Sequence, residues 1–311
     1  MIAILGAGGA ISNELVKLLA ASGQPFRLVG RHPKPVEGAT EVVAADLTDK
    51  EQTAKAVAGA SVAYLTAGLK YDHKVWAAEW PRVMANAMEA CKRAGAKLVF
   101  FDNVYMYGQV NGPMTEETPY NPCSRKGEVR AGIARMLEEA WKAGTLTAMI
   151  ARSADFYGPG ATNGIANVLV FEPMRKGGRA MCLGSDAMPH SYTYTPDAAR
   201  ALVALAERET AWNQTWHLPT AADPPTGREL IAMAAKAMGA EARVRLLRPA
   251  MVKMLGWVKP IMGEVAEMMY QNTSPYVFDS NKYRLEFGFA GTPYAESVQA
   301  TAEAVRSEIA I

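Results

Sequence analysis

An α/β chain built on a doubly wound parallel sheet, followed by a smaller C-terminal lobe, is the fold class this sequence predicts. Short apolar runs alternate with helical patterns through the first half, which is the signature of βαβ units. A glycine-rich turn, "LGAGGAIS", lies between the first apolar run and the first helical pattern. Beyond about Arg152 the alternation loosens and glycine and proline break the chain at "YGPGATNG", "RKGGRAMCLG" and "TAADPPTGREL".

The elements follow in order. "IAIL" (2–5) reads as a buried strand, and "ISNELVKLLAAS" (11–22) puts Ile11, Leu15, Leu18 and Leu19 on one helical face. Strands are expected at "FRLVG" (26–30) and "EVVAAD" (41–46), and then a helix capped by Asp49. "SVAYLT" (61–66), a long helix ending near Ala94 and "KLVFF" (97–101) come next, then a helix over about 126–142 and "LTAMIAR" (146–152). In the second half, Thr226 and Glu229 form a capping box at a helix start. "ARVRLL" (242–247) alternates as a half-exposed strand, and an amphipathic helix closes the chain over 294–309. The expected division is a dinucleotide-binding domain over 1–155, completed by about 190–220, and a substrate lobe over 156–311 woven into it.

Composition narrows the function classes. Of 311 residues, 50% are hydrophobic and 21% charged, which suits a soluble chain with a filled core. A net charge of +2 without a basic run excludes a nucleic-acid stripe, and no apolar segment is long enough to span a membrane. The three cysteines, Cys91, Cys123 and Cys182, are odd in number and form no CxxC pair, so a reducing cytoplasmic setting without a secretory leader is expected. The four histidines show no metal-ligand spacing, so no metal site is expected.

The glycine turn points to a dinucleotide. Gly6 and Gly9 match the first two glycines of a phosphate-binding turn, Gly8 is an extra one, and Ser12 takes the third position. Such a turn bends tightly, lets backbone approach a pyrophosphate and aims a helix start (Ala10, Ile11) at negative charge. The second strand ends "LVGRHP" with no carboxylate for a ribose 2′-hydroxyl; Arg31 stands there instead, which favours NADP, with NAD as the alternative. Asp46 and Leu47, after the third strand, are placed to meet the adenine, and Thr66, Ala67 and Gly68 end the fourth strand beside the glycine turn.

With these residues in view the chain resembles the extended short-chain dehydrogenase/reductase superfamily, and within it the NAD-dependent epimerase/dehydratase group. "GAGGAIS", "AADL", "AYLTAG", "VFFDNVYMYG", "TEETPYNP", "ARSADFYGPG" and "YTYTPDAARAL" follow that group's order and spacing from residue 1 to about 290. The resemblance implies a Rossmann domain, a small substrate lobe, a small-molecule substrate and a possible homodimer. It places Asn103 where the family has the carbonyl-polarising Ser or Thr. Matching "KGEVR" to the family's Tyr-x-x-x-Lys puts Lys126 on the tyrosine and Arg130 on the lysine, so the usual dyad is missing. Arg130 would then hold the cofactor ribose, and Lys126, Tyr105 or Tyr107 would supply the proton. Asp155, Tyr157 and His190 fall on substrate positions; Asp155 and His190 replace the Asn and Arg that sugar-nucleotide members use near the substrate diphosphate. The expected function is therefore an oxidoreductase for a small carbonyl or alcohol. The alternatives are a non-catalytic NADP-binding sensor and a nucleotide-sugar epimerase or dehydratase.

Overall fold

A computed structural model describes residues 1–307. Its first elements are β1 (Ile2–Leu5), α1 (Ala10–Ala21), β2 (Phe26–Gly30), β3 (Glu41–Ala44), α2 (Lys50–Val57), β4 (Val62–Leu65), α3 (His73–Ala94), β5 (Lys97–Asp102), α4 (Arg125–Lys142) and β6 (Ala148–Arg152). They are followed by β7 (Asp155–Tyr157), α5 (Glu172–Arg175), β8 (Ala180–Leu183), β9 (Tyr192–Tyr194), α6 (Thr195–Glu207), β10 (Thr215–His217), α7 (Gly227–Met238) and β11 (Val244–Leu247). The chain continues through α8 (Pro249–Gly256), α9 (Pro260–Glu267), α10 (Asn281–Phe287) and α11 (Tyr294–Ser307).

Among the described residues the main sheet has seven strands in the order β10-β6-β5-β4-β1-β2-β3, every pair parallel. The chain winds outward from β1 to β3, returns to β4 on the other side of β1, and winds outward again. That reversal places a switch point at the carboxyl ends of β1 and β4, where α/β sheets hold their ligands. Parallel strands covered on both faces need continuous apolar runs. Ala3, Ile4 and Leu5 of β1 and Ala63 and Leu65 of β4 are fully buried. Each large aliphatic side chain among them contributes roughly 1.5–3 kcal/mol through burial.

Local signals set the helix ends. Asp49 caps α2 by accepting from Gln52 N, and Thr226 and Glu229 make the expected capping box at α7. The Asp72 side chain accepts from Lys74 N and Val75 N at the start of α3, and left-handed Gly95 ends that helix. Trp76, Trp80, Val83, Met84 and Ala87 recur at helical spacing on the buried face of α3, which packs between α2 and α4.

The chain divides into two compact units. The first comprises Met1–Met106, Arg125–Ser153 and Ala198–Leu218, and holds the seven-stranded sheet. The second comprises Tyr107–Ser124, Ala154–Asp197 and Pro219–Ile311, so residues 107–124, which the sequence boundary at 155 assigns to the first domain, group with the second. Two small parallel sheets, β7 with β9 and β8 with β11, frame it. Its core joins Tyr157, Phe171, Leu230, Ile231, Val298 and Val305.

Several boundaries differ from the sequence reading. The strand expected over 41–46 ends at Ala44, because Asp46 turns out of the sheet into a side-chain-closed turn with Thr48. The closing helix is described to Ser307, and residues 308 and 309 of the expected helix lie outside the described residues. No helix among the described residues is long and apolar enough to cross a membrane.

The three cysteines are free thiols. Burial pushes the Cys91 thiol up to about 12 and, with the nearby Asp186 charge, the Cys182 thiol up to about 11, whereas Cys123 is exposed. Only thiolate reacts with alkylating agents. At neutral pH, native protein should take up one equivalent of iodoacetamide, at Cys123, and Cys182 should begin to label only as pH approaches 11. Peptide mapping of the alkylated protein checks both outcomes.

Candidate functional site

The cofactor-binding candidates gather at the sheet's switch point. Gly6 has φ +134, and a Cβ there would lie 2.5 Å from Ala67 N, so the turn after β1 packs backbone against backbone on the loop after β4. Gly8 has φ +81, and a Cβ on it would meet nothing within 4 Å. Gly9 is the α1 N-cap and supplies no side-chain cap. The first-turn N–H groups of α1 accordingly have no capping side chain and no acidic residue beside them. Ala10 and Ile11 bury their side chains, so at this point they offer backbone alone. Buried Ser12 donates to Gly9 O at 2.9 Å, which locks the turn where the third glycine would stand. Thr66 N donates to Leu5 O at 2.9 Å, and a Cβ on exposed Gly68 would meet nothing within 4 Å. Tight glycines and open space on one side are the shape a pyrophosphate requires, and the residues present fit a dinucleotide.

At the adenine end, Asp46 Oδ1 accepts from Thr48 N at 2.9 Å and from Thr48 Oγ1 at 2.8 Å. These two bonds, aided by the Arg31 and Arg82 charges, hold its carboxyl below the usual range. Arg31 itself is exposed, so its charge is shared between the surface and Asp46. Leu47 is buried and its carbonyl accepts from Asn86 Nδ2 at 3.0 Å.

The carboxyl ends of β5 and β6 carry a buried charge cluster. Asp102 and Arg152 are register partners across the two strands, and both are essentially inaccessible to solvent. Arg130 Nε donates to Asp102 Oδ1 at 2.7 Å, its Nη2 reaches the same oxygen, and Arg152 Nε donates to Oδ2 at 3.4 Å. The Arg130 guanidinium lies 4.5 Å from the Trp80 ring centre and 4.9 Å from that of Phe100. The expectation is that Arg130 holds the ribose; the structure engages it with Asp102. Its fork is turned onto Asp102 and its flat face is covered by aromatic rings, so its first role is to balance a buried carboxylate.

Asn103 follows Asp102, and its Oδ1 accepts from Tyr105 N at 3.1 Å, closing a short turn over 105–107. The Tyr105 ring stacks on Trp76 at 6.0 Å and 14°, and its hydroxyl lies 3.4 Å from that of Tyr71. Lys126, in the first turn of α4, is fully buried with Nζ 4.8 Å from the Tyr71 ring centre. Asn103 and Tyr105 follow the end of β5, and Lys126 meets Tyr71, which meets Tyr105, whereas Arg130 is turned onto Asp102. Tyr107 belongs to the second unit, where it is buried and packs 6.1 Å from the Tyr120 ring. That interior placement corrects its candidacy as a proton donor.

Within the second unit, His190 Nε2 and Asp155 Oδ2 are 2.9 Å apart, and the His190 ring stacks on Tyr276 at 4.2 Å and 11°. Both line a cavity of about 40 Å³ with Met181, Cys182, Tyr192 and Leu230. That volume has room for a few waters. Tyr157, expected at the substrate, is a core residue instead: it is 1% exposed, its hydroxyl meets Ser297 Oγ at 2.5 Å, and burial raises its pKa.

Sequence reasoning missed Tyr71, Trp76, Trp80 and Arg152. Tyr71 lies in the loop leaving β4, at the ligand-binding ends of the strands. Trp76 and Trp80 are one helical turn apart on the face that meets α4. The signal for Arg152 was an Arg ending one strand beside an Asp ending its neighbour.

Comparison with known proteins gives the same architecture. Residues 2–216 match the NAD dependent epimerase/dehydratase family, and the chain belongs to that family. No curated protein matches it. Solved structures match it along nearly the whole length. MoeE5 in complex with UDP-glucuronic acid and NAD is 20% identical, with 99% of each chain covered and a TM-score of 0.81. The UDP-glucose 4-epimerase of Thermus thermophilus, in complex with NAD, is 20% identical over 98% of this chain and 99% of its own, with a TM-score of 0.78. The dTDP-glucose 4,6-dehydratase DesIV from Streptomyces venezuelae, with NAD and TYD bound, is 18% identical over 100% and 98%, with a TM-score of 0.79. At these identities the likeness establishes the fold.

Removing one partner of a buried ion pair leaves an uncompensated charge, which costs about 3–5 kcal/mol. Arg130→Ala should therefore lower the denaturation midpoint by that equivalent. Arg93→Ala, which breaks an exposed pair with Glu89, should change stability by less than about 1 kcal/mol. Urea titrations followed by far-UV circular dichroism separate the two.

Proposed function

We propose that the chain is an NAD-dependent enzyme acting on a nucleotide sugar by oxidising a secondary alcohol, transiently or as the net reaction. The observation that carries this reading is the glycine turn at the switch point, with Gly6 locked on Ala67 and open space at Gly8 and Gly68. Gly6, Gly8, Gly9 and the first N–H groups of α1 would hold the pyrophosphate, Asp46 the adenosine end, and Thr66 to Gly68 the middle of the cofactor. When bound, the nicotinamide supplies hydride transfer.

The chain's own residues then divide the remaining work. Lys126, buried in the first turn of α4, supplies the positive charge that the sequence reading assigned to Arg130. Asn103 has its amide oxygen occupied by Tyr105 N–H, so the side chain presents its NH2 to a carbonyl oxygen. Full-length likeness to MoeE5, solved with UDP-glucuronic acid, and to proteins named a UDP-glucose 4-epimerase and a dTDP-glucose 4,6-dehydratase supports the substrate class. Asp155 stands where sugar-nucleotide members use an Asn near the diphosphate, and its carboxylate, which alone would repel that group, is paired with His190.

A second reading, reduction of a small uncharged carbonyl with NADPH, is favoured by Arg31 and by the missing acid at the end of β2. Fluorescence titration decides the cofactor. NADH is expected to bind with a Kd on the order of micromolar, and Arg31→Ala should change that Kd less than ~3-fold, about 0.6 kcal/mol. Tighter binding of NADPH than NADH, lost on Arg31→Ala, would favour the second reading. Failure to bind either dinucleotide would remove both. Incubation with UDP-glucose and dTDP-glucose, followed by chromatography of the sugar nucleotides, tests the substrate class.

A further inference from the structure

Tyr-x-x-x-Lys occurs nowhere in the 311 residues, yet the end of β5 is not without phenols. Tyr71 and Tyr105 come from different loops, the one leaving β4 and the one leaving β5, and their hydroxyls lie 3.4 Å apart. Trp76 clamps both rings: it stacks on Tyr105 and meets Tyr71 edge-on at 5.8 Å and 85°. The clamp is itself anchored, because Trp76 Nε1 donates to Lys70 O at 2.9 Å, one residue before Tyr71. Lys126 Nζ sits over the Tyr71 ring. Tyr105 N–H is tied to the side chain of Asn103, the residue expected to meet the substrate carbonyl. A tight aromatic cluster alone would be a packing device. A pair of hydroxyls facing each other, next to a buried ammonium and one turn from a carbonyl-binding amide, is arranged to pass a proton.

We propose that Tyr105 and Tyr71 together form the proton-transfer unit of this enzyme, with Tyr105 acting on the substrate oxygen, Tyr71 resupplying it and Lys126 holding the charge left behind. This rests on the dinucleotide-dependent reading above. In the reducing direction a bound, reduced nicotinamide would supply the hydride for the new C–H bond, leaving the carbonyl π pair on the substrate oxygen to be met by a proton. The Tyr105 O–H bond breaks as the substrate O–H bond forms. Tyr105 oxygen then takes the Tyr71 proton, and the Tyr71 phenolate rests beside the Lys126 ammonium until a proton returns from solvent. Oxidation of the alcohol runs the same path backwards. An ammonium close to a phenol stabilises the phenolate form, which is the state each tyrosine must visit.

The test uses the whole protein and three variants, Tyr105→Phe, Tyr71→Phe and Lys126→Met. Each is measured for dinucleotide affinity, for kcat against pH with the sugar nucleotide, and, without cofactor, by ultraviolet difference titration of tyrosinate. A general acid contributes about 10²–10⁴ in rate. Tyr105→Phe should lower kcat by at least ~100-fold and Tyr71→Phe by ~10-fold, both with dinucleotide affinity within ~3-fold of the parent. The pH profile should change shape in both. In the tyrosinate titration, the first phenol to ionise should disappear in Tyr71→Phe and ionise later in Tyr105→Phe and Lys126→Met. The proposal is overturned if Tyr105→Phe keeps kcat within ~3-fold and the same pH profile. It is also overturned if the earliest-ionising phenol survives both tyrosine substitutions. Should Tyr105→Phe fail to fold, Tyr71→Phe and Lys126→Met decide the same question through the titration. Absence of dinucleotide binding in the parent protein would instead sink the functional reading, and the titration would still report on the phenol pair.

Discussion

A carboxylate buried at the end of β5 sets the terms for everything near it. Asp102 is shielded from water, so its charge must be met inside the protein. Arg130 answers from α4 and Arg152 from β6. Those two contacts fix where α4 lies along the strand ends and which residues follow Asp102 out of the sheet. Lys126 is one helical turn before Arg130, so its position is inherited from the ion pair. Asn103 and Tyr105 follow Asp102 directly, so theirs is too. Trp80 and Phe100 close over the guanidinium and exclude the water that would weaken the pair. The cluster thus acts as a frame: its inner members hold charge, and its outer members are the residues proposed above to carry chemistry.

Much of this architecture was legible in the sequence, for reasons that can be located. Ile2–Leu5 and Val62–Leu65 are short apolar runs beside glycine turns, and such runs have few alternatives to a buried parallel strand. Asp49, Thr226 and Glu229 were readable because a cap is a local bond between residues three apart. The glycine turn was readable because only glycine tolerates the φ values of Gly6 and Gly8. What stayed hidden was long-range. The choice between Lys126 and Arg130 depends on which of them faces Asp102, and residues 28 positions apart leave no periodic trace. Tyr71 was silent because one tyrosine in a loop has no pattern to stand out from.

The second unit shows the opposite balance. Asp155 and His190 were picked out as departures from a pattern, and the structure pairs them with each other. Two unusual residues that answer one another are a weaker sign of altered substrate choice than either is alone, because each occupies the other's hydrogen-bonding group. Tyr157 was placed at the substrate by the resemblance alone, whereas β7 pairs with β9 and its ring packs toward Tyr294 and Ser297.

The close approach of Gly6 to Ala67 has a consequence for how tightly any molecule can be gripped there. Two loops that touch through main-chain atoms have no side-chain layer to compress and little freedom to slide. The turn after β1 and the segment leading to Tyr71 therefore behave as one rigid lip, already assembled before anything arrives. A molecule settling on that lip meets backbone whose packing at Gly6 and Ala67 is already made, so less ordering is left to the moment of binding.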